Sequence, residues 1–272
     1  MGLFSSRYYK EGPGVEKDAP RKKGIARFFE VVGRDLNSLF LANVLTFVGF
    51  LPMICIVYLG FLAGSLPLLL AGAVIGGLFA GPALSGMYDT VLRALRDEPG
   101  YWWATYRRAF RQNAKASLLP GILYGLVVTV QIYLVWFCAR SLSDGNVSIP
   151  LWVATALNLV LFHMLFSYLW PQIVLLDQPL ILTLKNCLSC MLAFFPRALA
   201  AALVTILSGG LLVTMIPAGL FLILLAGFWL PCLICCQIVY PDMDRVFHIE
   251  ENIRKLHEAQ RAAAAGQDPP EE

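Results

Sequence analysis

A single histidine, His163, stands inside a stretch of this sequence that carries no Asp, Glu, Lys or Arg, and Ser167 follows it four residues on. An ionisable group among so many apolar residues is expensive to bury, which makes it a functional candidate. The first reading is a neutral imidazole hydrogen-bonded to a neighbouring helix; a proton-relay or substrate-binding role is the alternative. No carboxylate shares the stretch, so a proton-coupled pump would lack its usual partner. Gln131 and Asn158 are uncharged polar residues in comparable surroundings, and with His163 they form the candidate intramembrane polar site. Asn43, Gln172 and Gln237 are of the same kind. Such groups more often join helices than line a pore, each bond contributing about 0.6 kcal/mol on average.

Seven cysteines include two Cys-x-x-Cys spacings, Cys187/Cys190 and Cys232/Cys235, which together would supply the four thiolates of a zinc site. Depth argues against it. Cys232 lies eight residues before Tyr240, about 12 Å along a helix, whereas Cys187 belongs to a polar break. No metal or other cofactor is expected. The sequence holds no Gly-x-Ser-x-Gly, no His-Glu-x-x-His and no Gly-x-x-x-x-Gly-Lys-[Ser/Thr]. The expectation is therefore a non-enzymatic protein, with a membrane-embedded enzyme as a minor alternative.

The elements that must hold these residues follow from charge. The chain of 272 residues is 58% hydrophobic and only 14% charged, against roughly 25% charged in soluble domains. The deficit is local. Asp35 and Asp89 bracket one charge-free stretch, Lys115 and Arg140 a second, Asp144 and Asp177 a third, and Arg197 and Asp242 a fourth. About 20 apolar residues cross the hydrocarbon core, so the four stretches hold two, one, one and two crossings. The fold class is an all-α polytopic transmembrane helical bundle of about six spans, near 39–61, 66–88, 118–139, 150–176, 198–217 and 219–240. A polar tail over 1–23, a membrane domain over 24–240 and a charged tail over 241–272 complete the organisation. The first 23 residues contain no apolar signal-peptide core. Met1-Gly2 followed by Ser6 matches a short myristoylation pattern that six spans make superfluous.

Of the 21 Lys and Arg, all but Arg140 fall in the N-terminal tail and the helix that precedes span one, in the segments 89–117 and 177–197, and in the C-terminal tail. Positive residues stay on the cytoplasmic side. Six crossings place all these segments there, with both termini cytoplasmic in a bacterial plasma membrane. The basic residues adjoin membrane segments and form no separate domain, so nucleic acid is not an expected partner. Amphipathic helices are expected on this side. Ile25, Phe28, Phe29, Val32 and Leu36 recur at helical spacing before span one. Beyond Asp97-Glu98-Pro99-Gly100, Arg107, Arg111 and Lys115 lie four apart with Arg108 beside them, opposite Trp102 and Tyr106. These six are candidates for contact with lipid headgroups or a protein partner; a solvated loop helix is the plainer reading. Gly72/Gly76 and Gly77/Gly81 give two Gly-x-x-x-Gly spacings in span two, for packing within the chain or for self-association. Asp97-Glu98-Pro99 and Asp177-Gln178-Pro179 each follow an even-numbered span, a weak echo of an internal repeat.

The segments outside the spans carry a resemblance. Met1-Gly2-Leu3-Phe4, the run from Tyr9 to Pro20 with Gly12, Gly14, Val15, Lys17 and Asp18, Phe28-Phe29, Leu51-Pro52, Arg96-Asp97-Glu98-Pro99 and the segment Tyr106 to Asn113 resemble the YesL-type family of bacterial membrane proteins. The resemblance is best over the first 115 residues and does not extend to the tail after about residue 250. That family has no established molecular activity. Its association with carbohydrate ABC importers implies an accessory role in sugar uptake, with ABC transporter subunits as partners. A small-solute transporter or channel is the alternative. The resemblance implies no catalytic or binding residues.

Overall fold

The computed structural model describes residues 21–98, 100–145, 148–215 and 218–264. Among these the chain is helical with no strands, and six helices are long and apolar enough to cross a membrane. The all-α polytopic bundle read from the charge-free stretches is the fold.

Helix α1 (Ile25–Leu62) runs unbroken for 38 residues. The separate interfacial helix expected before span one is its first third. Nothing between Leu36 and Leu39 stops a helix, so the amphipathic and apolar parts propagate as one rod. At 1.5 Å per residue it is about 57 Å long, far more than the roughly 30 Å hydrocarbon layer. Gly64, at φ 58°, turns the chain back into α2 (Leu66–Arg96), 31 residues long. Both rods therefore project together beyond the apolar layer at one end, called here the charged end. There α2 stops at Asp97 in a left-handed conformation. The short α3 (Trp102–Gln112) follows, and α4 (Ala114–Ser143) and α5 (Ile149–Leu175) form the next hairpin.

Helix α2 is the centre of the packing, and its glycines explain how. A Cβ at Gly76 would sit 2.2 Å from Met53 Cβ of α1, and one at Gly77 would sit 2.5 Å from Gly121 O of α4. Gly72 likewise meets Val57 of α1, and Gly81 meets Ser117 of α4. The two Gly-x-x-x-Gly pairs thus serve two different neighbours within the chain, where close backbone approach replaces the missing hydrophobic drive.

The segment 177–197, expected as a polar break, contains α6 (Leu180–Ala193). Only Thr183, Lys185, Asn186 and Ser189 interrupt its apolar residues besides the cysteines. Thr183, Cys187 and Cys190 face inward, while Ile181, Leu188 and Leu192 are exposed. After α7 (Phe195–Thr214) come a five-residue α8 (Ala218–Leu222), a π-helical turn over Ile223–Gly227, and α9 (Trp229–Phe247). Residues 216–217, at the expected end of the fifth span, lie outside the described residues. His248 is left-handed, and α10 (Ile249–Ala264) closes the described chain.

Candidate functional site

The intramembrane candidates come first. Cys138 Sγ and Thr155 Oγ1, 3.6 Å apart, set the register of α4 against α5. Gln131 lies seven residues before Cys138, and His163 lies eight residues after Thr155. On a rise of about 1.5 Å the two share one depth, and Asn158 sits about 7 Å nearer the opposite end. His163 is partly buried, and its Nδ1 lies 2.8 Å from the carbonyl of Leu159. It is therefore bonded within its own helix, with no hydrogen bond to a neighbouring one among the described residues. Gln131 Nε2 and Asn158 Oδ1 are buried without a partner among the described residues. None of these three side chains lines the cavity beside Asp244, His248 and Arg254 or the one beside Asp89, Arg96 and Arg108.

The charged end is far more organised. A helix leaves its last carbonyls unpaired and its dipole negative there. Three arginines from the N-terminal segment and α1 meet those of α2: Arg34 Nη2 donates to Ala94 O at 2.7 Å, Arg27 Nη2 to Leu95 O at 2.6 Å and Arg21 Nη2 to Arg96 O at 2.8 Å. All three also pair with Asp97, the residue that ends α2. Burial alone would raise the Asp97 carboxyl, but the hydrogen bonds and charges of Arg27 and Arg34 outweigh it and hold the group below its ordinary value. Arg21 continues to Glu250 of α10 at 2.7 Å. The two ends of the described chain thus meet at the end of α2.

Helix α3 lies against this hub. Arg107, Arg108, Arg111 and Lys115 are exposed, as are Tyr101, Trp103 and Phe110. Tyr106, a candidate contact residue, faces the other way. Its ring is buried and occupies the space a Cβ at Gly86 would need, 2.6 Å from its Cε2. Burial pushes its phenol up to about 12. Trp102 is half-buried beside it, their ring centroids 5.8 Å apart. Of the six candidates, the four basic ones are presented outward and the two aromatic ones anchor the helix. A cavity of about 390 Å³ opens between α3, the ends of α2 and α5, and α10.

Residues 36–134 match the family described as a protein of unknown function, DUF624. The match covers most of α1, then α2, α3 and most of α4, the helices whose glycines interlock, and begins after Arg21, Arg27 and Arg34. It is consistent with the YesL-type resemblance and assigns no activity. No curated protein and no solved structure matches the chain.

Two further polar arrangements escaped sequence reasoning. Asp242, fully buried on α9, pairs with Arg197 of α7 and accepts a hydrogen bond from Tyr168 Oη at 3.2 Å. These two charges bracket the last charge-free stretch, so the spacing flagged both without showing that they meet. Asn43 of α1 is fully buried at the π-turn. Its Nδ2 donates to Ile223 O and Leu224 O at 2.9 and 2.8 Å, and its Oδ1 accepts from Phe228 and Trp229 N–H at 2.8 and 3.1 Å. One side-chain amide stands in for the α-helical bond that Phe228 N–H and Leu224 C=O would otherwise make. Leu225 O is taken by the Trp229 indole at 2.8 Å.

Proposed function

We propose that this chain is a non-enzymatic multi-pass protein of the bacterial plasma membrane, both termini cytoplasmic, that serves as an accessory or regulatory subunit of an ABC-type carbohydrate importer. The observation that carries the reading is the outward face of α3. Arg107, Arg108 and Arg111 are exposed on a helix fixed to the bundle by buried Tyr106 and Ala109, and Lys115, in the first turn of α4, is exposed beside them. A rigid basic face flanked by exposed aromatic rings suits the headgroup layer or an acidic surface of a partner held beside the membrane. The six apolar helices supply the lipid contact. Co-purification of the tagged full-length protein in mild detergent tests the partner. Importer subunits should be recovered, and replacing the four basic residues by glutamine should abolish the recovery. Failure to recover any importer subunit, together with normal sugar uptake in a deletion strain, would overturn the reading.

One observation favours a second reading, a small-solute transporter. Gln131 Nε2 and Asn158 Oδ1 are buried without partners among the described residues, on facing helices, Gln131 at the depth of His163 and Asn158 about 7 Å from it. Purified protein in liposomes should then move a solute, with the flux changed by His163→Ala and Gln131→Leu. Flux equal in wild type and both variants removes this reading.

A further inference from the structure

We propose that the cavity between α2, α3, α5 and α10 at the charged end is a binding site for a phosphate anion. Arg96 marks it. Its side chain lines the cavity and is only 6% exposed. Its Nε sits 2.9 Å from Glu98 Oε1, outside good hydrogen-bond alignment, and its Nη1 is buried with no partner among the described residues. A guanidinium donor left unpaired out of water is costly, and an anion at this position removes the cost.

The charges of the wall support an anion. Arg93 bonds Asp89 Oδ2 and Glu98 Oε2, each at 2.9 Å, so both carboxylates are already engaged. Arg93, Arg96 and Arg108 against Asp89 and Glu98 leave the cavity one positive charge in excess. Arg108, exposed at the rim, has no ion-pair partner among the described residues, and its planar fork suits phosphate. Gln112 and Asn113 complete the polar wall and offer amide groups to hydroxyls carried on the same ligand. Val174 and Leu175 of α5 and Ile253 and Leu256 of α10 make the apolar remainder. The volume, about 390 Å³, falls within the range of small-molecule sites. The phosphate could be carried by a lipid headgroup or by a soluble phosphomonoester, since the site lies where α2 leaves the apolar layer.

Two arms separate these sources, both on the full-length protein. In phosphatidylcholine nanodiscs the protein is titrated calorimetrically with glycerol 3-phosphate. In nanodiscs containing phosphatidylglycerol, native mass spectrometry reads retention of one such lipid per chain. Saturable binding in the first arm assigns a soluble phosphate, and retention in the second assigns a headgroup. In whichever arm binds, Arg108→Gln should weaken binding about tenfold or more, whereas Arg107→Gln and Arg111→Gln should leave it within about twofold. Arg108 is exposed, so its variant tests the site without depending on the fold as Arg96→Gln does. The proposal is overturned if neither arm shows binding, if Arg108→Gln binds as wild type, or if all three variants weaken binding alike, which would mark general surface charge.

Discussion

Replacing Asn43 by leucine removes four hydrogen bonds at a stroke while keeping the side-chain volume. The wild-type amide satisfies Ile223 O, Leu224 O, Phe228 N–H and Trp229 N–H around the π-turn. Leucine satisfies none of them. At the membrane average of about 0.6 kcal/mol per bond, the four sum to about 2.4 kcal/mol. Relaxation can recover part of this, because without the amide Phe228 N–H is free to take Leu224 O and close an ordinary α-turn. That leaves a cost of about 2 kcal/mol. For a chain of this size each kcal/mol moves the unfolding midpoint by about 2–4 °C, so the variant should melt about 4–8 °C lower. Asn43→Asp keeps the acceptor and loses the donors, so it should also melt lower. The assay is thermal unfolding of purified protein in detergent, followed by tryptophan fluorescence. A midpoint for Asn43→Leu within about 1 °C of wild type would show that the π-turn anneals freely and that the clamp contributes nothing.

Other expectations concern the glycines and the charges. Gly121→Val places branched carbon where Gly77 O is 2.4 Å from the ideal Cβ position; overpacking of this kind costs about 1–3 kcal/mol and should lower the midpoint and the detergent-extracted yield, while Gly209→Val, which meets nothing within 4 Å, should not. Asp97 has a depressed carboxyl, so its contribution is complete above the unfolded value of about 3.9 and is lost as pH falls through the lower folded one. Hydrogen exchange over the start of α1 should therefore accelerate on acidification below about pH 4 in wild type and already at neutral pH in Asp97→Asn. Arg197→Gln leaves Asp242 buried and unpaired apart from Tyr168, and because Arg197 is half-exposed the loss should fall at or below the lower end of the roughly 3–5 kcal/mol seen for broken buried pairs. Arg197→Gln with Asp242→Asn should recover part of it, and a double variant no more stable than the single would refute the pairing.

The six crossings were legible because charge is excluded from a bilayer core, and a run without Asp, Glu, Lys or Arg is a direct imprint of that exclusion. The glycine pairs were legible as close-contact surfaces, but not which helix each would meet; that depends on the angular offset between Gly72/Gly76 and Gly77/Gly81 on α2, and on Gly121 lying in a different helix. Helix α6 was missed because Asp177, Lys185 and Arg197 drew attention to the ends and the middle of its segment, and four polar residues spread over four turns still leave an apolar face. The continuity of α1 was missed for a related reason. A change from amphipathic to apolar composition marks a change of solvent, not a break in the backbone. Asn43 was visible as a polar residue in a span, but its role was hidden, because the groups it satisfies are main-chain atoms about 180 residues away and leave no trace in the sequence. Tyr106 was read, opposite the basic residues, as a contact for lipid or a partner, since nothing local says that Gly86 leaves a space of its shape.

The ion pairs also bear on topology in a way the charge count alone does not. Arg197 and Asp242 flank the apolar stretch of α7 to α9 and touch each other, so that stretch leaves and returns at one end of the bundle. Arg27 and Arg34 precede the apolar part of α1, Asp97 follows α2, and these also touch. Each contact requires an even number of crossings between its partners. Arg21 meets Glu250, which requires an even number over the whole described chain. A bundle of five or seven crossings would have to break at least one of these bonds and bury an unpaired charge. The distribution of basic residues and the pairing of charges are independent properties of the chain, one statistical and one geometric, and both are satisfied by the same six helices.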